Sequence, residues 1–152
     1  MNVTVREFLT EDARAVSDVI RRTMHETNSA DYPLEILEPL IEYFSPEKVL
    51  LLARERICLV AEIDAKIVGT IALETNELQT FFVHPDFHGK GVGKLLLKAI
   101  EKIAASLKIK KISVLSSLSA VSFYEKTGYL KTGFEQEKTA GRQIGMEKIL
   151  EI

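Results

Sequence analysis

Val83-His84-Pro85-Asp86-Phe87-His88-Gly89-Lys90-Gly91-Val92-Gly93-Lys94-Leu95-Leu96-Leu97 is the stretch from which the rest of this chain is read. It follows an apolar, β-rich run from Leu78 to Val83 and leads into a helical pattern. In that pattern Val92, Leu96, Ile100, Ile103 and Leu107 fall on one apolar stripe. Glycine at 89, 91 and 93 lets the backbone turn tightly and keeps Cβ atoms away, so several N–H groups can converge on one point. The positive end of the helix dipole lies at the same place. A strand, a glycine loop and a helix start therefore predict a phosphate cradle.

Two well-known phosphate loops fail on spacing. G-x-x-x-x-G-K-[ST] would need glycine at His88 and a hydroxyl at Leu95. G-x-G-x-x-G would need glycine at Lys94 in one register and at Leu96 in the other. What His88-Gly89-Lys90-Gly91-Val92-Gly93 resembles is the Q/R-x-x-G-x-G/A pyrophosphate loop of the GNAT acetyltransferase superfamily, with histidine standing for Gln or Arg. Phe81-Phe82-Val83-His84-Pro85 is similar to that family's strand ending in V-x-P. Ala120 with Phe123-Tyr124-Glu125-Lys126-Thr127-Gly128-Tyr129 is similar to its A-x-x-F-Y-E-K-x-G-F segment. The likeness runs from Ile67 to Ile149.

Length and composition set the frame. A chain of 152 residues predicts one domain over 1–152, with core enough to need no staples. A net charge of −2 supplies no electrostatic drive toward nucleic acid. No run reaches membrane-spanning length, and Met1 to Arg6 alternates like a strand, so a cytoplasmic protein without a membrane partner is expected. The single cysteine, Cys58, excludes an internal disulfide and reads as a small core residue.

Along the chain, Val3 to Phe8 reads as a strand and Thr10 as the cap of a helix buried through Ala13, Val16, Ile20 and Met24, fraying near Asn28-Ser29. Leu34 to Phe44 predicts a second helix bent at Pro39, and Ser45-Pro46 starts a short third one to about Ala53. The period then becomes two: Ile57–Ile63 and Ile67–Glu74 form a hairpin, Gly69 suggests a bulge, and Glu77–Val83 adds a third antiparallel strand. After the glycine loop and its helix, Lys110–Leu115 is expected parallel to the strand before the loop. A helix from about Leu118 to Thr127 and two strands around Thr139-Ala140-Gly141 complete the chain. The fold class expected is α/β: one GNAT-like domain with a mixed, mostly antiparallel, twisted sheet of about seven strands and four to five helices.

The resemblance implies acetyl-CoA as cosubstrate and direct acetyl transfer to a primary amine of a small molecule or peptide. On that basis Gly89, Lys90, Gly91, Val92, Gly93 and Lys94 bind the diphosphate, with His88 reaching it through its side chain. Phe81, Phe82 and Val83 hold the pantetheine arm by backbone bonds while their side chains pack in the core, and a main-chain N–H near Phe82 is the oxyanion donor. Tyr124 is the acid that protonates the departing thiolate, or a packed aromatic. Ser117 touches the arm, or only caps the next helix. Glu77 stands eleven positions before His88, where the histone-modifying branch carries its base; Glu74 and an ordered water are the alternatives. An alkylammonium has a pKa near ~10.4, so something must accept its proton.

His25, His84 and His88 share no ligand spacing, and no metal is expected. Tyr32, Tyr43 and His25 fall in the part of the family's fold that lines the acceptor pocket. Glu26, Asp31, Glu35, Glu38 and Glu42 make that part acidic, which favours a cationic acceptor: a polyamine, an amino sugar or a lysine side chain. Pairing into a homodimer is left open. Two rival readings also stay open: a non-catalytic acyl-CoA sensor on the same fold, and a nucleotide-binding module of another fold.

Overall fold

Apolar alternation through the middle of the chain builds one seven-stranded sheet, and a computed structural model describes it over residues 2–26, 32–138 and 141–151. Strands β1 (Thr4–Glu7), β2 (Ile57–Ile63), β3 (Lys66–Glu74), β4 (Glu77–Val83), β5 (Lys111–Ser117), β6 (Leu130–Lys138) and β7 (Gly141–Ile149) lie in the order β1-β2-β3-β4-β5-β7-β6. All neighbours are antiparallel except β4 and β5. Among the described residues five α-helices accompany them: α1 (Ala13–Glu26), α2 (Leu34–Tyr43), α3 (Pro46–Ala53), α4 (Val92–Ser106) and α5 (Val121–Lys126). The expected fraying at Asn28-Ser29 and the turn at Thr139-Ala140 lie outside the described residues.

The two faces of the sheet bury different stripes. Leu59, Ala61, Ile71, Leu73, Leu78, Ile112, Val114, Ile144 and Met146 share a core with Leu96, Leu97, Ile100 and Ala104 of α4. Val60 and Phe82, on the other face, pack with Val16, Ile20 and Met24 of α1 and Val49 of α3. Alternation therefore assigns Glu77, Ser113 and Leu115 to the face away from α4.

Most expected boundaries agree within a residue or two. Ser45 accepts the Lys48 N–H at 3.2 Å with Pro46 at the first helical position, as its sequence predicts. The first helix starts differently. Thr10 is not its cap: Leu9 is extended, Thr10–Asp12 forms a 3-10 turn, and the Asp12 carboxylate takes the Leu9 N–H at 2.7 Å. Asp12 wins because it also accepts two bonds from Arg6, at 2.8 and 3.0 Å, and Arg6 in turn pairs with Glu62 on β2. That ion pair ties β1, β2 and the helix start together. Arg6 first, and then the Leu9 N–H, hold the Asp12 carboxyl below its ordinary range against the opposing effect of burial.

Two bulges shape the sheet. Register slips by one between Ala61 and Glu62 opposite Gly69, the expected place. A second slip sits in β4, where Gln79 faces Ala72 but Phe82 faces Thr70, and Thr80 takes a φ of 40°. No glycine or proline in β4 signals this bulge, and it matters for the site.

Candidate active site: an open strand edge below a helix start

Only Glu77 and Ser113 face each other across the parallel pair β4 and β5. Beyond them the β4 bulge bends that strand away, so no further partner pair follows and the edge of β4 is left open. His84 donates its N–H to Val68 at 2.7 Å, and the register pairs Gly69 with Val83 and Thr70 with Phe82. Bonded pairs alternate in an antiparallel ladder, which engages the Phe82 amide with β3 and turns the amide and carbonyl of Val83 toward the open edge. Of the amides near Phe82, where an oxyanion donor is expected, that of its neighbour Val83 is the one facing the open edge. The Val83 carbonyl already accepts His88 Nε2 at 2.6 Å and the Thr23 hydroxyl at 3.2 Å.

Past Val83 the chain makes a 3-10 turn, Pro85–Phe87, capped by His84, whose Nδ1 accepts the Asp86 N–H at 3.1 Å. His84 is the turn residue its sequence suggests. It is buried, and that burial first, then the nearby Arg22, pushes its pKa down. The glycine loop follows. Gly91 caps α4 in the left-handed region, at φ 82° and ψ 4°, with no side-chain cap. The first helical bond runs from Leu95 to the Gly91 carbonyl, at 3.1 Å. Ahead of it, the amides of 89–94 have no backbone partner among the described residues. His88 differs: its N–H is bonded to Pro85 at 3.2 Å and its ring to Val83, so both its polar contacts here are to protein and not to open space.

Open space surrounds this loop. A Cβ on Gly89 or Gly91 would meet nothing within 4 Å. Lys90 and Lys94 are exposed, and neither has an ion-pair partner among the described residues. The first turn of α4 also lacks any acidic residue. Unpaired amides, a positive dipole end and two ammonium groups outside any ion pair, Lys90 lying 5.8 Å over the Phe87 ring, fit a diphosphate.

Tyr124 lies on the α4 side of the open edge. It is 5% exposed, and its ring stands 6.3 Å from Phe81, 5.4 Å from Phe123 and 5.4 Å from Tyr129. The ring is packed among aromatics, and that packing does not by itself exclude the acid role expected of its hydroxyl. No described residue bonds its hydroxyl, while no fully buried side-chain oxygen or nitrogen among them lacks a partner, so the Tyr124 oxygen keeps an open side. Burial raises its pKa and holds the proton on oxygen. Tyr129, just beyond, is sealed instead: its hydroxyl donates to Glu101 at 2.8 Å, and Glu101 also accepts Lys148 at 3.0 Å.

Glu77 is half-buried on the opposite face and accepts a bond from the Gln79 amide at 3.2 Å. It borders a cleft of about 320 Å³ over β5, β7 and β6. Glu74 points elsewhere, pairing with Arg56 at 2.8 Å on β3's far end. Ser117 does not cap the turn after β5: its side chain makes no cap bond. Tyr32 lies against Gly141 at the start of β7, where a Cβ would collide with its ring. His25 and Tyr43 are exposed. Cys58 is packed near Thr70, and burial pushes its thiol up to about 11, away from any nucleophilic role. Among the described residues no three His, Cys, Asp or Glu side chains gather as metal ligands.

The model of the acetyltransferase (GNAT) domain matches residues 28–150. The chain belongs to the GNAT acetyltransferase family. It is an acetyl-CoA-dependent N-acetyltransferase, and the open β4 edge and the free amides of 89–94 suit that cosubstrate's arm and diphosphate. A spermidine N(1)-acetyltransferase of Thermoplasma acidophilum is 30% identical over 97% of this GNAT chain and 98% of its own. A glucosamine 6-phosphate N-acetyltransferase of Schizosaccharomyces pombe is 39% identical, but over 44% of this chain and 60% of its own length. Among solved structures, a PaiA N-acetyltransferase from Thermoplasma acidophilum in complex with coenzyme A superposes with a TM-score of 0.85. It is 26% identical, over 99% of this chain and all of its own. No helix among the described residues is long and apolar enough to cross a membrane.

Proposed function

We propose that residues 1–152 act as one N-acetyltransferase domain whose acceptor is a cationic primary amine, with Glu77 as base and Tyr124 as proton donor to the departing sulfur. The observation that carries this is the opening of the sheet just after Glu77 and Ser113. The Glu77 carboxylate on one face of the sheet at the start of that opening, and the buried Tyr124 phenol on the other face, support this pairing of roles. When bound, the coenzyme supplies an activated acetyl thioester. The chain's own groups do the rest.

The amides of 89–94, with Lys90 and Lys94, hold the diphosphate, and the backbone of Phe81 to Val83 lines the arm. Glu77, directly or through a water, takes the proton that keeps the amine unreactive at neutral pH. The freed nitrogen forms the bond to the carbonyl carbon as the carbon–sulfur bond breaks, and it loses its second proton to water as the neutral amide forms. The Val83 amide meets the charge developing on the carbonyl oxygen. Tyr124 donates to the sulfur; because burial strengthens its hold on the proton, a hydrogen bond to the thiolate forms first and transfer follows. His88 leaves the Val83 carbonyl if it is to reach a phosphate, and Ser117 remains a contact for the arm.

The acceptor class rests on chemistry and kinship together. Glu35, Glu38 and Glu42 are exposed along α2, a negative field that favours a cation. The full-length relative is named for spermidine, whereas the match to the enzyme of glucosamine 6-phosphate is local. A lysine side chain is the peptide counterpart of such an amine. A cytoplasmic setting belongs to the same proposal, since a multiply charged thioester does not cross a bilayer unaided. So does the absence of a nucleic-acid partner, given the net charge of −2. Pairing of two copies is a further proposal, decided by sedimentation.

The test is thiol release from acetyl-CoA across a panel of polyamines, amino sugars and lysine peptides, beside Tyr124→Phe and Glu77→Gln. Release with at least one amine, reduced in both variants, supports the assignment. Undiminished rates in both variants would remove Glu77 and Tyr124 from the chemistry.

A further inference from the structure

Strand β6 carries a large aromatic where an exposed edge gains nothing from one: Phe134 is 53% exposed. The register explains how it comes to stand there. Lys131 faces Met146 and Glu135 faces Ile144, so Thr132, Gly133 and Phe134 share the single residue Gly145. The loop so formed is tied down, because the Phe134 N–H donates to Thr132 Oγ1 at 3.1 Å and that hydroxyl donates to the Gly145 carbonyl at 3.3 Å. Gly145 permits it. A Cβ there would come within 2.7 Å of Thr132 Oγ1 and 3.1 Å of Phe134 Cβ. Glycine in the buried middle of a strand weakens it, so this bulge is kept at a cost to the sheet.

Phe134 borders the same cleft as Glu77, which also includes Ser113, Leu115, Gln136 and Gly145. Its lining is graded: a carboxylate on β4, an apolar floor at Leu115, bare backbone at Gly145, and an aromatic ring on β6. Polar side chains in it are largely engaged. Gln136 donates to Gln143 at 2.6 Å, and Glu77 accepts from Gln79. Such a trough suits a primary ammonium on an alkyl chain: the head at the carboxylate, methylenes over Gly145, and the far end on the ring. A second ammonium on that chain would gain a cation–π contact. A polyhydroxylated amine would find its hydroxyls without partners.

We infer that Phe134 is a specificity-determining residue that selects straight-chain aliphatic amines, diamines and polyamines included, over amino sugars. The inference rests on the acetyl-transfer reading for the part Glu77 plays, and its test is read from binding alone. 1,4-Diaminobutane and glucosamine are each titrated into the coenzyme A-loaded protein, as wild type, Phe134→Ala and Phe134→Leu. Diaminobutane is expected to bind wild type in preference to glucosamine, about tenfold more weakly to Phe134→Ala, and within about threefold of wild type to Phe134→Leu. Coenzyme A affinity and melting temperature, unchanged across the three, show that each is folded. Equal diaminobutane affinity in wild type and Phe134→Ala overturns the inference, as does failure of wild type to bind diaminobutane or to prefer it. Thiol release is scored separately: bound diaminobutane without turnover sinks the acid–base proposal and leaves the role of Phe134 standing.

Discussion

Replacing Gly91 by alanine separates what the glycine does for the fold from what it does for the ligand. At φ 82° the residue is left-handed, and a Cβ there meets no atom within 4 Å, so the substitution brings strain without collision. The cost is then about 1 kcal/mol. In a chain of this size that lowers the melting temperature by about 3 °C. Gly93 gives the internal control. It lies inside α4, its Cβ would sit 3.6 to 3.7 Å from Phe81, Val83 and Phe123, and Gly93→Ala should stabilise by about 0.5 to 1 kcal/mol. The ligand adds a second reading. At a hundred times its Kd, acetyl-CoA stabilises wild type by about 2.7 kcal/mol. A methyl group among the open amides should weaken binding about tenfold, which removes about 1.4 kcal/mol of that gain. Thermal melts of both variants, with and without acetyl-CoA at one fixed concentration, measure every term. If Gly91→Ala keeps the full wild-type shift with acetyl-CoA, the free amides of 89–94 do not hold the diphosphate.

Tyr124→Phe should lower kcat about a hundredfold, as expected for loss of a general acid, with the melting temperature unchanged because no described residue bonds the hydroxyl. Glu77→Gln should lose about as much at pH 7 but recover as pH climbs toward ~10.4, where the free amine forms in bulk water; a pH-independent loss would argue against a base. Asp12 has a lowered pKa in the fold, so its contribution is present above the ordinary carboxylate range and is lost as pH falls through the folded value. Asp12→Asn should therefore cost about 2 kcal/mol at pH 7 and flatten the acid limb of a urea-denaturation series. Tyr129 is raised by burial, then by Glu101, so its share of stability holds below the ordinary phenol range, near ~10, and fades as pH rises further. Tyr129→Phe should blunt that alkaline loss.

The elements were legible where local patterns and tertiary packing agree. The stripe from Val92 to Ala104 is helical in any environment that offers it an apolar surface, and the alternation of Ile57 to Val83 can bury one face only as strands. Thr10 misled because capping preference is local, whereas the Asp12 carboxylate is held by Arg6 from a different strand pair. The role expected of His88 was shaped in the same way: its position was read from the loop motif, but its ring bonds a carbonyl five residues back. Phe134 had no signal at all, since one phenylalanine in a strand pattern says nothing of a bulge fixed by Thr132 and Gly145.

By itself the sequence determined the order of elements and the glycine loop at a helix start, because these depend on neighbours within a few positions. Only the tertiary structure decided which amides stay free, which side of the β4 edge holds Glu77 and which holds Tyr124, and what lines the cleft beside Glu77. Those depend on the β4 and β6 bulges, and a bulge is set by register between strands far apart in the chain.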